Sequence, residues 1–161
     1  MSRGPEPGEE GASPLPRRRR HVRPIAICVV RDRERIFVSE GRDSHKQVTF
    51  YRPLGGTIEF GEKGEQAVTR EFLEEIGAEI TRLRYLGTLE NIFTLEGVPE
   101  HEIVLVYAGE FADVSMYKRA LIVGQEAGVR IEAMWKSLAL FREGRAPLYP
   151  DGLLELLDQH G

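Results

Sequence analysis

The segment Gly55–Ala78 reads GGTIEFGEKGEQAVTREFLEEIGA and decides the fold of this 161-residue chain. Apolar residues recur in its second half with the 3.6-residue period of a helix, which predicts a helix over Gly64–Ile76 that stops at Gly77. Successive helical residues advance by about 100°, so three carboxylates share an arc about 100° wide. These carboxylates belong to Glu71, Glu74 and Glu75.

Like charges this close together destabilise an isolated helix, so a compensating charge is expected. Arg70, four residues before Glu74, is one candidate, and a hard divalent cation, which prefers carboxylate oxygens, is a stronger one. A solvated acidic helix face is the alternative. The preceding loop favours the cation site, because its glycines at 55–56 and 61 let the backbone approach a ligand and Glu62 adds a fourth carboxylate.

The spacing of these residues resembles the Nudix signature, which runs Gly, five residues, Glu, seven residues, Arg-Glu, an aliphatic residue, any residue, Glu-Glu, any residue, Gly and a final aliphatic residue. All the polar and glycine positions match: Gly56, Glu62, Arg70, Glu71, Glu74, Glu75 and Gly77. The two aliphatic positions depart but stay apolar, as Phe72 and Ala78. With the flanking strand pattern, the resemblance to the MutT-like Nudix hydrolases extends over roughly residues 24–160.

The resemblance implies an α/β Nudix fold, a mixed β-sheet sandwiched between α-helices, in a domain at residues 21–161. It also implies Mg²⁺-dependent hydrolysis, with Mn²⁺ as a substitute, of a phosphoanhydride bond in a nucleoside diphosphate linked to another group. The expected products are phosphate, pyrophosphate or a nucleotide. The implied metal ligands are the Gly56 carbonyl and the catalytic residues Glu71, Glu74 and Glu75. Glu62 and Arg70 are expected to orient these ligands.

The substrate within this class stays open, because the downstream marks of several Nudix subfamilies are missing. Phe93 stands where ADP-ribose hydrolases carry a proline. The tyrosine of dinucleoside polyphosphate hydrolases and the aromatic block of NADH hydrolases are absent as well. A nucleoside triphosphate and a nucleotide sugar remain. The predicted substrate contacts are Arg52, Glu90, Phe93 and Tyr149, with core packing as the alternative for the two aromatic residues.

A different interpretation is a catalytically silent Nudix-fold module that senses nucleotides and regulates other proteins. Such modules usually carry eroded signature glutamates or an added DNA-binding domain. This chain keeps every signature acid and has no room for a winged helix, which favours the enzyme.

Glu102 is predicted to contribute to the active site, as the general base or as a further metal ligand. It opens the longest alternating segment, residues 102–111, and follows a glycine-proline loop. Nudix enzymes often recruit a glutamate from outside the signature as general base or further metal ligand, at a position that varies among subfamilies. Glu90 and Glu126 are the rival candidates for this role.

Apolar runs and alternating patterns predict that strands dominate the rest of the chain. They are expected at residues 25–30, 35–39, 49–54, 57–60, 82–94, 102–111 and 131–135. The 82–94 segment is either a strand pair or one long bent strand, and a loop at 96–99 joins it to the next strand as a hairpin. Residues 112–128 are expected to be irregular or weakly helical. Short helices are predicted at 138–142 and at 151–159, the second capped by Asp151.

Composition limits the remaining function classes. Residues 1–20 are rich in Pro, Gly, Glu and Arg, which predicts a disordered tail. The net charge of −4 argues against a nucleic-acid binder, and the arginines at 17–20 are better explained as part of a solubilising tail.

The chain has a single cysteine, Cys28, which is expected to pack in the core and indicates a reducing, cytoplasmic setting. No apolar run is long enough to span a membrane. The expected partner is a small nucleotide, and a homodimer is left open.

Overall fold

The computed structural model describes residues 20–161, so the tail predicted for residues 1–20 lies outside the described residues except for Arg20. Eight strands are present: β1 (Arg23–Asp32), β2 (Arg35–Asp43), β3 (Val48–Arg52), β4 (Gly55–Thr57), β5 (Ile80–Leu95), β6 (Val98–Phe111), β7 (Leu121–Glu126) and β8 (Val129–Ser137). Three α-helices accompany them: α1 (Gly64–Ile76), α2 (Leu138–Arg142) and α3 (Leu153–Gln159). A short 3₁₀ helix spans Val114–Lys118.

Strand β1 is the centre of the sheet. The strand order is β5-β6-β1-β2-β8-β7, with β3 added beside β2 and β4 beside β1. β1 runs parallel to β6 but antiparallel to β4 at its beginning and to β2 at its end. The predicted mixed sheet is therefore confirmed. The antiparallel β1–β4 pairing sets Gly56 opposite Ala26, which places the glycine loop beside the middle of the sheet.

Helices cover both faces of the sheet, because alternate side chains of β1 enter two different cores. Ala26, Cys28 and Val30 pack with Val68 and Phe72 of α1. The alternate residues of β1, Ile25, Ile27 and Val29, enter a second core. There they pack with Leu138 of α2 and with Leu153 and Leu157 of α3. The predicted sandwich is confirmed, and Cys28 is the buried core thiol that the sequence indicated. Burial raises the pKa of this thiol.

Several element boundaries agree with the sequence. Helices α1 and α2 begin and end where they were predicted. The 82–94 segment belongs to one long strand, β5, whose pairing with β6 shifts register between Thr81 and Arg84 and again between Tyr85 and Gly87. Of the two alternatives, a strand pair or one long bent strand, the structure therefore has one long strand, with irregular pairing at these two places.

Four local predictions are wrong. The strand predicted at 57–60 does not form, because β4 ends at Thr57 and a turn follows it. The β5–β6 hairpin turns at Glu96–Gly97, where φ is 49° and 77°, so β6 begins at Val98 and Glu102 lies inside the strand, not at its opening. The stretch predicted to be irregular contains β7, which pairs with β8 from Leu121 to Glu126. Helix α3 begins at Leu153, after Gly152 with φ 86° in the N-cap position, so Asp151 does not cap it.

Strand β7 passes close to the end of α1. A Cβ atom added at Gly124 would overlap the backbone carbonyl oxygen of Glu75 and crowd the Ile76 side chain. Only a glycine lets the two backbones approach this closely. The contact fixes where the end of β7, and with it Glu126, lies relative to the acidic helix.

Within residues 20–161, none of the helices has the length and apolar character needed to cross a bilayer.

We predict that Gly124→Ala lowers the melting temperature by about 3–10 °C, because the added methyl group must push β7 away from α1. Gln125→Ala, a change at the exposed neighbouring position, is the matched control and should shift it by less than about 2 °C. Thermal unfolding followed by circular dichroism measures both. Equal melting temperatures for the Gly124 variant and the wild type would show that the contact is not tight.

Candidate active site

Helix α1 holds its acidic residues in place because both of its ends are fixed. At the beginning, the backbone N–H of Lys63 donates to Oε1 of Gln66 at 2.8 Å. At the end, Gly77 adopts φ 65° and its N–H donates to the carbonyl oxygen of Leu73 at 3.0 Å. A left-handed glycine is a common helix stop, and here it terminates the helix directly after the acidic turn.

Arg70 joins the signature acids to one another. Its Nε lies 2.8 Å from Oε1 of Glu62, and its Nη1 lies 2.8 Å from Oε1 of Glu71 and 3.2 Å from Oε2 of Glu74. Its Nη2 donates to the Thr57 carbonyl at 2.9 Å, which ties the helix to the glycine loop. The hydrogen bonds from Arg70 lower the pKa of Glu62, and the same bonds raise the pKa of Arg70 itself. The Arg70–Glu74 pair expected from the sequence is present.

Glu71 packs directly on Gly56. A Cβ atom at position 56 would overlap the Glu71 carboxylate, so the glycine is what lets this acid lie against β4. Burial raises the pKa of Glu71 despite its bond to Arg70. The two residues that the signature implies as metal ligands, one through its carbonyl and one through its side chain, are therefore neighbours.

Glu75 is the least compensated acid of the helix. The residue is only 5% exposed, and its Oε2 has no hydrogen-bond partner among the described residues. Burial, and then the negative charges of Glu126 and Glu71, raise the pKa of Glu75 to about 9, while Arg52 opposes the shift. A buried carboxylate without a partner is costly, so its place here calls for a ligand of positive charge.

The donor set fits a hard divalent cation in its chemistry. Carboxylate oxygens from one helix face and a backbone carbonyl are the ligands that Mg²⁺ and Mn²⁺ prefer, and Glu75 Oε2 is free to bind. In the described part of the chain, no three acidic, histidine or cysteine side chains already form a ligand cage. Arg70 binds one oxygen of Glu71 and one oxygen of Glu74.

Glu126, which the sequence suggested only as a rival base, lies close enough for its charge to act on both Glu75 and Glu71. It is the last residue of β7 and is exposed. The tight approach of Gly124 to the end of α1 brings it there. The position of Glu126 beside α1 could not be predicted from the local sequence, because it depends on the contact of Gly124 with the end of the helix.

Glu102 lies in a separate buried cluster. It is only 1% exposed, and its Oε1 accepts from Nη2 of Arg23 at 2.7 Å. Its Oε2 accepts from Nη2 of Arg52 at 3.1 Å and from Nδ2 of Asn91 at 3.3 Å. Within residues 20–161, no hydrogen bond or ion pair joins Glu102 to the acids of α1. Arg52 links the two groups, because it binds Glu102 and its charge acts on Glu75.

The four predicted substrate contacts are dispersed. Arg52 is partly buried at the end of β3 and pairs with Glu102 at 3.1 Å. Phe93 is partly buried on β5, two residues from Asn91 and therefore on the same sheet face as the Glu102 cluster. Glu90 is exposed and points to the opposite face of β5. Tyr149 packs its ring on Phe50, with centroids 5.3 Å apart, beside β3. Sequence reasoning missed Arg23 and Asn91, which meet Glu102 only through the sheet.

Comparison with known proteins identifies the family. The profile described as NUDIX domain matches residues 20–151. The chain is 34% identical over 113 residues to the NAD-capped RNA hydrolase NudC of Haemophilus influenzae, which covers 70% of this chain and 38% of that protein. It is 32% identical over 106 residues to the putative mutator protein MutT4 of Mycobacterium tuberculosis, covering 66% and 43%. The chain thus spans less than half the length of these relatives.

Solved structures agree on the fold. A NUDIX hydrolase from Nitrosomonas europaea superposes with a TM-score of 0.63 at 16% identity, over 87% of this chain and 88% of that one. The MutT NUDIX hydrolase from Burkholderia pseudomallei gives a TM-score of 0.56 at 24% identity, over 74% and 85%. With a complete signature, the matching sheet and a family profile covering most of its length, the chain belongs to the MutT-like Nudix hydrolase family.

Proposed function

We propose that this chain hydrolyses a phosphoanhydride bond in a nucleoside diphosphate linked to another group, with a nucleoside triphosphate or a related nucleotide as substrate. The observation that carries the proposal is Glu75, a buried carboxylate with an unpartnered oxygen beside Glu71 on the helix that holds the intact signature. A merely structural helix would be more stable with an apolar residue at this position.

The residues divide the work by position. Glu71, Glu74, Glu75 and the Gly56 carbonyl would hold Mg²⁺, or Mn²⁺ in its place. When bound, the ion would neutralise the diphosphate and make a water more acidic. Arg70 orients Glu71 and Glu74 through its two hydrogen bonds, and Glu62 holds the opposite side of the same guanidinium. Arg52, whose positive charge lowers the pKa of Glu75, would bind the negatively charged substrate.

Three glutamates outside the helix were candidates for the general base, and one of them, Glu90, is exposed on the face of β5 opposite to the Glu102 cluster. Glu102, the residue proposed from the sequence, has both oxygens engaged by donors. Glu126 is exposed, and its charge acts on Glu75 and Glu71. This arrangement favours Glu126, because a base must reach a water next to the acidic helix face.

The names of the relatives widen the set of substrates to be tested. NudC is described as acting on NAD-capped RNA, which contains a diphosphate between two nucleosides. MutT4 is described as a putative mutator protein. The first description is compatible with a nucleoside diphosphate core, and the net charge of −4 supports a small nucleotide over a long nucleic acid. The single buried Cys28 supports a reducing, cytoplasmic location.

We predict that a panel of nucleoside triphosphates, nucleotide sugars, NAD and NAD-capped RNA contains at least one substrate that is cleaved with Mg²⁺ or Mn²⁺ and not with excess EDTA. Product masses identify the bond that is cut. Full turnover in EDTA would contradict the cation site. Tight binding of a nucleotide without turnover under every metal condition would favour the silent sensing module.

We predict that Glu75→Gln lowers kcat by about 100-fold or more, because the change removes a charge that stabilises the transition state. Glu65→Gln, on the exposed first turn of the same helix, is the matched control and should keep kcat within about threefold. Steady-state kinetics on the substrate found in the panel measures both. Similar kcat values for the two variants would return Glu75 to a structural role.

We predict that Glu75→Gln also stabilises the metal-free protein, and more so as the pH rises from 5 to 8. The folded pKa of about 9 lies above the ordinary value of 4.5, so between these values the native state keeps a proton that the unfolded state has lost. Wild-type stability therefore falls with rising pH in this window, whereas glutamine does not titrate. Melting temperatures in EDTA should differ by about 3 °C or more at pH 8. A gap that stays constant with pH would contradict the prediction.

A further inference from the structure

The buried cluster around Glu102 has an asymmetric charge arrangement. Arg23 is shared between two acids, with its Nη2 2.7 Å from Glu102 and 3.2 Å from Glu100. Among residues 20–161, Arg52 pairs with one acid, Glu102, at 3.1 Å. Arg23 therefore has a second acid, Glu100, to neutralise its charge. Arg52 shares Glu102 with Arg23 and has no second acid among the described residues.

Arg52 keeps most of its hydrogen-bonding capacity. A guanidinium carries five N–H donors. Within the described chain only Nη2 of Arg52 has a partner, and its Nε and Nη1 make no hydrogen bond. The side chain is 26% exposed, so these donors are neither deeply buried nor freely solvated. Arg52 lies four residues before Gly56, whose Cβ position would overlap the Glu71 carboxylate, so it belongs to the chain segment that leads into the acidic site. The positive charge of Arg52 also lowers the pKa of Glu75.

The buried surroundings of this arginine are also incompletely satisfied. Asn91 is 3% exposed, and its Oδ1 has no hydrogen-bond partner among the described residues. Its Nδ2 donates to the same Oε2 of Glu102 that Arg52 binds. A buried amide oxygen without a partner is expensive to maintain, which points to a ligand or an ordered water at this cluster.

We propose that Glu102 is a positioning residue, which fixes Arg52 so that its free donors bind the diphosphate of the substrate. Guanidinium groups bind phosphate oxygens through paired hydrogen bonds, which require a fixed orientation. An ion pair to a buried carboxylate supplies that orientation and removes rotational freedom before binding. Protonation of Glu102 would break both of its ion pairs, so proton transfer is a poor use of this carboxylate.

The inference rests on the proposed function only for the location of the diphosphate beside Glu75. Binding of inorganic pyrophosphate in the presence of Mg²⁺, measured by isothermal titration calorimetry, tests it without any turnover. Arg52→Gln should weaken pyrophosphate binding about tenfold or more, and Glu102→Gln about threefold to tenfold. The double variant should bind no more weakly than Arg52→Gln alone, because Glu102 acts through Arg52.

A matched control separates this role from general loss of stability. Asp43 is likewise a buried carboxylate, paired with Lys46 at 3.5 Å in the β2–β3 hairpin. Asp43→Asn should leave pyrophosphate affinity within about twofold of the wild type. Arg52→Lys should recover less than half of the lost binding free energy, since lysine keeps the charge but lacks the fork of donors.

On the substrate found in the panel, Glu102→Gln should raise KM and leave kcat and the shape of the pH–rate profile unchanged within about threefold. A fall in kcat of tenfold or more with loss of one limb of that profile, at unchanged pyrophosphate affinity, would show instead that Glu102 is the base.

Additive effects of Arg52→Gln and Glu102→Gln on pyrophosphate affinity would also overturn the proposal. So would a wild-type chain that does not bind pyrophosphate. If Glu102→Gln does not fold, unchanged affinity in Arg52→Gln alone overturns it.

Discussion

The burial of like charges at the end of α1 is the constraint on which the rest of the site depends. Glu71 and Glu75 are pressed against the sheet because Val68 and Phe72 on the neighbouring face of the helix enter the core. The helix cannot bury its apolar face without also burying part of its acidic face. The free energy of core packing therefore maintains a cluster of carboxylates that would otherwise repel one another.

Two arginines oppose this repulsion from different sides, and they do so in different ways. Arg70 is fully engaged, since it bonds Glu62, Glu71, Glu74 and the Thr57 carbonyl. Arg52 reaches the cluster only through its charge and is anchored on Glu102. The first arginine sets the geometry of the acids, whereas the second keeps Nε and Nη1 without a hydrogen bond in the described chain. In the proposed site, the acids thus come from α1 and the second arginine comes from β3.

The sequence predicted what depends on local pattern. Helix α1 was located to the residue because its apolar period and the stop at Gly77 are both local, and the partnership of Arg70 with Glu74 follows from helical spacing. Strand β7 escaped prediction because it is a short edge strand whose place depends on Gly124 meeting the end of α1. The pairing of Glu102 with two arginines was equally hidden. Arg23 and Arg52 lie 79 and 50 residues away in the chain and meet Glu102 only through the pairing of β1 with β6 and the return of β3.

The most direct test of this account is a crystal structure of the wild-type chain grown with Mn²⁺, examined for anomalous scattering. We expect a manganese peak within about 2.5 Å of carboxylate oxygens of Glu71 and Glu75, with Glu75 Oε2 among the ligands. Arg70 should then have given up at least one of its bonds to Glu71 or Glu74. A manganese ion bound elsewhere, with Glu75 still buried and without a partner, would contradict the proposal that α1 is the metal-binding element of this chain.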